Sequence, residues 1–203
     1  LAAFSMSWSA FDDGQWADVL TKRQRFIDLW ADLICAPKGT LTTAENVTAA
    51  MMSLIGSLPD KLLRGKKVLV AEDGFPSIHF LLSGLQTVPL RQGAHWVEED
   101  DLIAEWDENV ALALLTWISS TTSHKNDLPR LVAHGRAMGS LIGVDITQGA
   151  GLLPFDVSTP QIDFAISTSL KWLCGTPGAG VLYIDEKLIP TCEPDLRGWF
   201  SQD

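Results

Sequence analysis

The chain has 203 residues, 46% of them hydrophobic, with 25 acidic against 15 basic side chains and a net charge of −10. This length and apolar share exclude a disordered tail and allow one sizeable core. The acidic balance excludes a broad surface for nucleic acid or for an anionic membrane, so any phosphate must be held locally.

Apolar positions Val19, Leu20, Phe26, Ile27, Leu29, Trp30 and Leu33 fall at helical spacing. They predict an amphipathic helix from Trp16 to Leu33, ahead of the Pro37-Lys38-Gly39 turn. Thr42-Thr43-Ala44-Glu45 fits a capping box, with Thr42 as N-cap and Glu45 reaching back, so a second helix is expected from there to Leu58, ended by Pro59. From Lys66 onward, apolar runs at 68–71, 78–85, 88–90 and 102–106 alternate with helical stretches. The acidic Glu98-Glu99-Asp100-Asp101 reads as the first turn of a helix, favoured by the helix dipole. The longest apolar run, Val110 to Ile118, is too short to span a bilayer and is expected to be a buried strand. A helix at 129–138 and apolar runs at 141–145, 164–166 and 181–184 complete the pattern. Such alternation predicts an α/β domain with a mostly parallel central sheet, flanked by helices and joined by right-handed crossovers. The expected organisation is an N-terminal helical segment, 1–40, followed by one large α/β domain, 41–203.

In open α/β sheets, ligands sit beyond the carboxyl ends of the strands. Asp145 closes one expected strand and Lys171 lies shortly beyond the next. Glu72 to Pro76 and Ser119 to Ser123 occupy equivalent positions, so four loops are expected to converge. A carboxylate and a lysine so placed suit pyridoxal 5'-phosphate. The lysine holds the aldehyde as a Schiff base, and the aspartate keeps a proton on the pyridine nitrogen so that the ring accepts electrons. Free N–H groups in the first turn of the Thr42 helix would meet the phosphate. Thr168 and Ser169 add hydroxyl donors beside the lysine.

Other features read as structural. Gly175 to Gly180 lacks the Gly-Lys-Ser/Thr ending of a nucleotide loop and runs into a strand. His79, His95, His124 and His134 show no metal-ligand spacing, so no metal is expected. Cys35, Cys174 and Cys192 suggest neither a disulfide framework nor a zinc site and suit a reducing cytoplasm. Cys174 is expected to be a small buried hydrophobe. Asn46-Val47-Thr48 matches a glycosylation acceptor only in form. Leu1-Ala2-Ala3-Phe4 carries no basic leader and reads as a cut end, not a signal peptide.

Asp145, Lys171, the run Gly175-Thr176-Pro177-Gly178-Ala179-Gly180 and the tripeptide Gly198-Trp199-Phe200 together resemble the class V aminotransferase family of fold-type-I pyridoxal phosphate enzymes, and within it the kynureninase branch. Phe75-Pro76-Ser77 is similar to a segment of that branch whose phenylalanine stacks on the cofactor. The resemblance implies a fold-type-I large domain, with the C-terminal small domain and its substrate-binding arginine largely absent. It also implies a small amino-acid substrate and hydrolytic Cβ–Cγ cleavage of a kynurenine. Residue by residue, it implies that Lys171 holds the cofactor, Asp145 pairs with the pyridine nitrogen and Phe75 stacks on the ring. Thr43 and Ala44 would bind phosphate, with Thr116 near it, and Trp199 would complete the site across a homodimer. Three positions depart from the branch: Leu170 stands for a tyrosine, Ile78 for an aspartate and Gln148 for a histidine. Asp-x-x-Gln resembles the cysteine desulfurase branch, where the glutamine touches the cofactor's phenolic oxygen. An aminotransferase or desulfurase therefore stays open, as does a non-catalytic dimerisation module that keeps the fold.

Overall fold

The computed structural model describes residues 2–10, 14–85, 94–195 and 197–198. Helix α1 (Ala2–Trp8) buries none of its residues, whereas α2 (Gly14–Leu33) turns Ile27, Trp30 and Ala31 inward. The expected second helix is replaced at its start by a strand. Leu41–Ala44 forms β1, antiparallel to β7 (Gly180–Ile184), with Leu41 opposite Tyr183 and Ala44 opposite Gly180. Helix α3 (Val47–Ile55) begins after Asn46, whose side chain accepts the Ala49 N–H at 2.9 Å. The correction has a physical reason. Leu41 needs burial and Thr42 and Thr43 are β-branched, so pairing with β7 outweighs a cap at Thr42, and asparagine is as strong an N-cap as any.

Beyond α3 come α4 (Asp60–Leu63), β2 (Lys67–Ala71), α5 (Pro76–Gly84) and β3 (Ala94–Val97). Glu99–Asp101 forms a single 3₁₀ turn leading into α6 (Leu102–Glu105). The acidic run thus opens a helical segment, though a short one. Next are β4 (Val110–Thr116), α7 (Leu128–Met138), β5 (Leu141–Asp145), β6 (Phe164–Thr168) and β7. The run at 88–90 lies outside the described residues. The seven strands form one sheet in the order β1-β7-β6-β5-β4-β2-β3. Pairs from β6 through β3 are parallel, and β7 is antiparallel to both its neighbours.

Helices cover both faces, which is why the strands read as near-continuous apolar runs and not as alternating patterns. On one face, Trp30 and Ile34 pack with Leu131 and Val132 of α7 against Leu115, Val144 and Tyr183. The N-terminal helical segment is therefore part of this core through α2. On the other face, Met51 and Leu54 of α3 and Ile78 and Leu82 of α5 pack against Val70, Leu114, Phe164 and Ile166. At the strand starts, the Asp163 carboxylate accepts the Ile142 N–H and an Arg136 N–H, both at 2.6 Å, tying α7 to β5 and β6 at the sheet end away from the site. Among the described residues, no helix is long and apolar enough to cross a membrane.

Gly143, mid-strand in β5, has no room for a side chain, because an added Cβ would lie 1.9 Å from Cζ of Phe164, which is fully buried. Gly143→Ala is expected to lower unfolding free energy by about 3 kcal/mol, since overpacking in a dense core forces neighbours off their rotamers. Urea denaturation of the two chains measures it, and a loss under 1 kcal/mol would contradict the packing described.

Candidate active site

Three adjacent strands end side by side. Thr116, the last residue of β4, pairs with Asp145, the last of β5, and Asp145 pairs with Ile166 of β6. Strand β6 closes at Thr168, and Lys171 follows on a tight loop. That loop is pinned by backbone bonds from Cys174 N–H to the Lys171 carbonyl (3.1 Å) and from Gly175 N–H to the Ser169 carbonyl (2.8 Å). The Ser169 N–H and hydroxyl both donate to the Ala179 carbonyl, at 2.8 and 2.7 Å. Gly175 is required here, because a Cβ would sit 2.2 Å from Ser169 Oγ. The position of Lys171 is thus set by backbone geometry on both sides.

The loop after β4 is fastened to the loop after β2. The Ser119 hydroxyl donates to the Asp73 carboxylate at 2.7 Å and accepts the N–H groups of Thr121 and Thr122. Phe75 stands immediately before α5, and Val47 opens α3. Together the loops after β2, β4, β5 and β6 enclose a cavity of about 180 Å³. Phe75, Thr116, Asp145, Gln148, Thr168 and Lys171 all line it.

Asp145 lines this cavity, and the protein around it pushes its carboxyl above the ordinary carboxylate range. Burial is the main cause, opposed by the hydroxyl and backbone N–H of Thr147, the latter donating to Oδ1 at 2.9 Å. Among the described residues it makes no ion pair, so the cavity floor carries an acid whose charge no protein cation offsets. Gln148 is held from outside by the Trp172 indole, which donates to its Oε1 at 3.2 Å.

Six of the residues singled out in the sequence are thus brought together. Thr43 and Ala44 are not among them. Both lie on β1 against β7 and not at a helix N-terminus, and neither lines the cavity. Their place is taken by Asn46 and Val47, at the true start of α3. The signal that could have found them is Asn46 itself, a better N-cap than Thr42. Ser120 also lines the cavity, within a loop expected to reach it. Leu170 lines the cavity where a hydroxyl was noted as absent. Trp199 lies outside the described residues. Cys174 is exposed with φ 52°, not buried, because the turn after Lys171 carries its side chain outward.

The aminotransferase class-V family profile matches residues 28–200. A kynureninase of Bacillus cereus (strain ZK / E33L) is 31% identical over 187 residues, which cover 86% of this chain and 43% of the relative. A mutant of C-DES with glycine covalently linked to its PLP cofactor superposes with a TM-score of 0.83 at 20% identity, covering 98% of this chain and 54% of that one. The cysteine desulfurase CsdA of Escherichia coli superposes with a TM-score of 0.77 at 23% identity, covering 93% of this chain and 49% of that one. The chain therefore spans about half the length of the proteins it matches. The structural likenesses establish the fold, that of the fold-type-I large domain.

Proposed function

The chain belongs to the aminotransferase class-V family, and on that premise we propose that it is a pyridoxal-phosphate-dependent enzyme of amino-acid metabolism, most like kynureninase, cleaving the Cβ–Cγ bond of a kynurenine-type substrate with water. The observation that carries the cofactor reading is Asp145, a buried carboxylate that makes no ion pair among the described residues, sharing one cavity with Lys171. A ligand that brings a protonated ring nitrogen to that carboxylate supplies the missing positive charge, so the residues fit the group.

In this reading Lys171 Nζ would hold the cofactor aldehyde and Asp145 would keep a proton on the ring nitrogen. Phe75 covers one ring face and keeps water from it. The first N–H groups of α3, at Val47 and Thr48, have no intrahelical carbonyl to pair with and face a favourable dipole for phosphate. The Thr168 hydroxyl and Thr116 assist there, and Gln148 donates to the ring oxygen. Pyridoxal phosphate, when bound, supplies an electron sink for negative charge at the substrate Cα. With its amine free, Lys171 would be a base lining the cavity, placed to move the Cα proton of a substrate.

We also assign a homodimer with a shared site, to which Trp199 would contribute, a cytoplasmic location, and a division into the helical segment 1–40 and the cofactor-binding unit 41–203. The dimer is supported by exposed apolar side chains on the loops after β5 and β6, including Leu152, Leu153, Trp172 and Leu173. The cytoplasm is supported by three free cysteines. Thr43 and Ala44 would act on phosphate only indirectly, by setting where α3 begins.

Gln148 favours a second reading, a cysteine desulfurase or aminotransferase of the same family. Incubating the cofactor-loaded protein with kynurenine, cysteine and alanine separates the reactions. Release of anthranilate is expected. Sulfur transfer from cysteine without anthranilate would move the assignment to the desulfurase, and a folded dimer that binds no cofactor would reduce the chain to a non-catalytic module.

A further inference from the structure

Trp172 follows the lysine directly, and more than half of its surface is exposed, so it contributes little to the core. Its side chain makes a specific polar contact: the indole Nε1–H meets Gln148 Oε1 at 3.2 Å. Chemistry fixes the meaning of that contact. An indole nitrogen only donates, so the amide atom it faces must be the carbonyl oxygen. The Gln148 Nε2 group, which donates to no protein acceptor among the described residues, is then the branch left for a ligand in the cavity. Gln148 alone offers either a donor or an acceptor by a half-turn of its amide. Gln148 held by Trp172 offers two N–H donors and no acceptor.

We infer that Trp172 is a positioning residue, which locks the Gln148 amide so that the cavity presents N–H donors at this point and selects a ligand with an anionic or carbonyl oxygen there. The lock links the two chemical loops. Gln148 lies three residues after Asp145 on the β5 loop, and Trp172 lies one residue after Lys171 on the β6 loop. The same hydrogen bond therefore ties the amide's orientation to the placement of the lysine. The inference rests on the cofactor reading of the cavity, in which the oxygen facing Gln148 is the ring oxygen of pyridoxal phosphate.

The test is a double-mutant cycle on cofactor binding, read by the absorption band of the bound cofactor and its pH titration. Trp172→Phe keeps an aromatic ring and removes the donor. It is expected to weaken pyridoxal phosphate binding about fivefold, the worth of roughly one net hydrogen bond, and to shift the pH midpoint of the band. Gln148→Ala is expected to give a loss of similar size, and Trp172→Phe added to it should change neither quantity further. A Trp172→Phe chain identical to wild type, or one whose effect persists in the Gln148→Ala background, overturns the inference while leaving the cofactor reading intact. A wild-type chain that develops no band removes the cofactor reading and this inference with it.

Discussion

Replacing Lys171 with alanine is expected to abolish covalent attachment of pyridoxal phosphate while leaving the fold unchanged. Lys171 is exposed to the cavity and lies on a loop whose shape comes from backbone bonds at Ser169, Cys174 and Gly175, none of which uses the lysine side chain. Its removal therefore costs stability only within about 0.5 kcal/mol, as for other surface changes. The measurement is paired. Borohydride reduction of the loaded wild type should place the cofactor on the peptide carrying Lys171, and the variant should take up no label and show no absorption band. Thermal unfolding should give closely similar midpoints for the two chains without cofactor. Label appearing on another lysine in the wild type would refute the assignment of this residue.

Asp145→Asn is expected to act in opposite directions with and without the cofactor. In the cofactor-free protein, the carboxyl is held above its ordinary value of 3.8, chiefly by burial. The sign follows from linkage. A carboxyl whose folded pKa is raised costs nothing below the unfolded pKa, and it removes stability as pH climbs through the raised value. Asparagine carries no charge to enclose, so the variant should be more stable than wild type at pH 7, with the gap closing as pH falls below the ordinary carboxylate range. With cofactor bound the order reverses, because the amide cannot hold a proton on the ring nitrogen as an anion does. Exchange of the substrate Cα proton in deuterated water should then slow roughly 10²-fold or more, the scale of losing one preorganised electrostatic partner. A variant less stable than wild type at pH 7 without cofactor would show that Asp145 is satisfied within the protein. The cofactor reading would then lose its main support.

Much of this arrangement was legible from residue order, and the reason is the regularity of α/β architecture. Strands enclosed on both faces are short apolar runs, and the runs at 68–71, 111–118, 141–145, 164–166 and 181–184 match β2, β4, β5, β6 and β7 within a few residues. Asp145 and Lys171 could be matched because both follow strands that are neighbours in the sheet. What escaped was non-local. Nothing between residues 41 and 44 announces that Gly180 to Tyr183, far along the chain, will offer a free edge, and a capping-box pattern is a local signal that such pairing overrides. Strand β3 was missed because Ala94–Val97 is short and carries no period of its own, and it becomes a strand through its partner β2. Cys174 was misplaced because burial of a small residue depends on which way a turn faces, and that turn is set by Gly175 against Ser169.

Residue order was enough for the fold class and for the pairing of a carboxylate with a lysine, since these rest on residue types at strand ends, while the family came from the resemblance of motifs along the chain. The fold was needed to show that Asn46 and Val47, and not Thr43 and Ala44, line the cavity. It alone showed that Asp145 makes no ion pair among the described residues and that the Trp172 indole meets Gln148. Each of these depends on groups from separate loops meeting across the sheet edge, and the energy of such meetings is set by distance and enclosure, which no stretch of sequence contains.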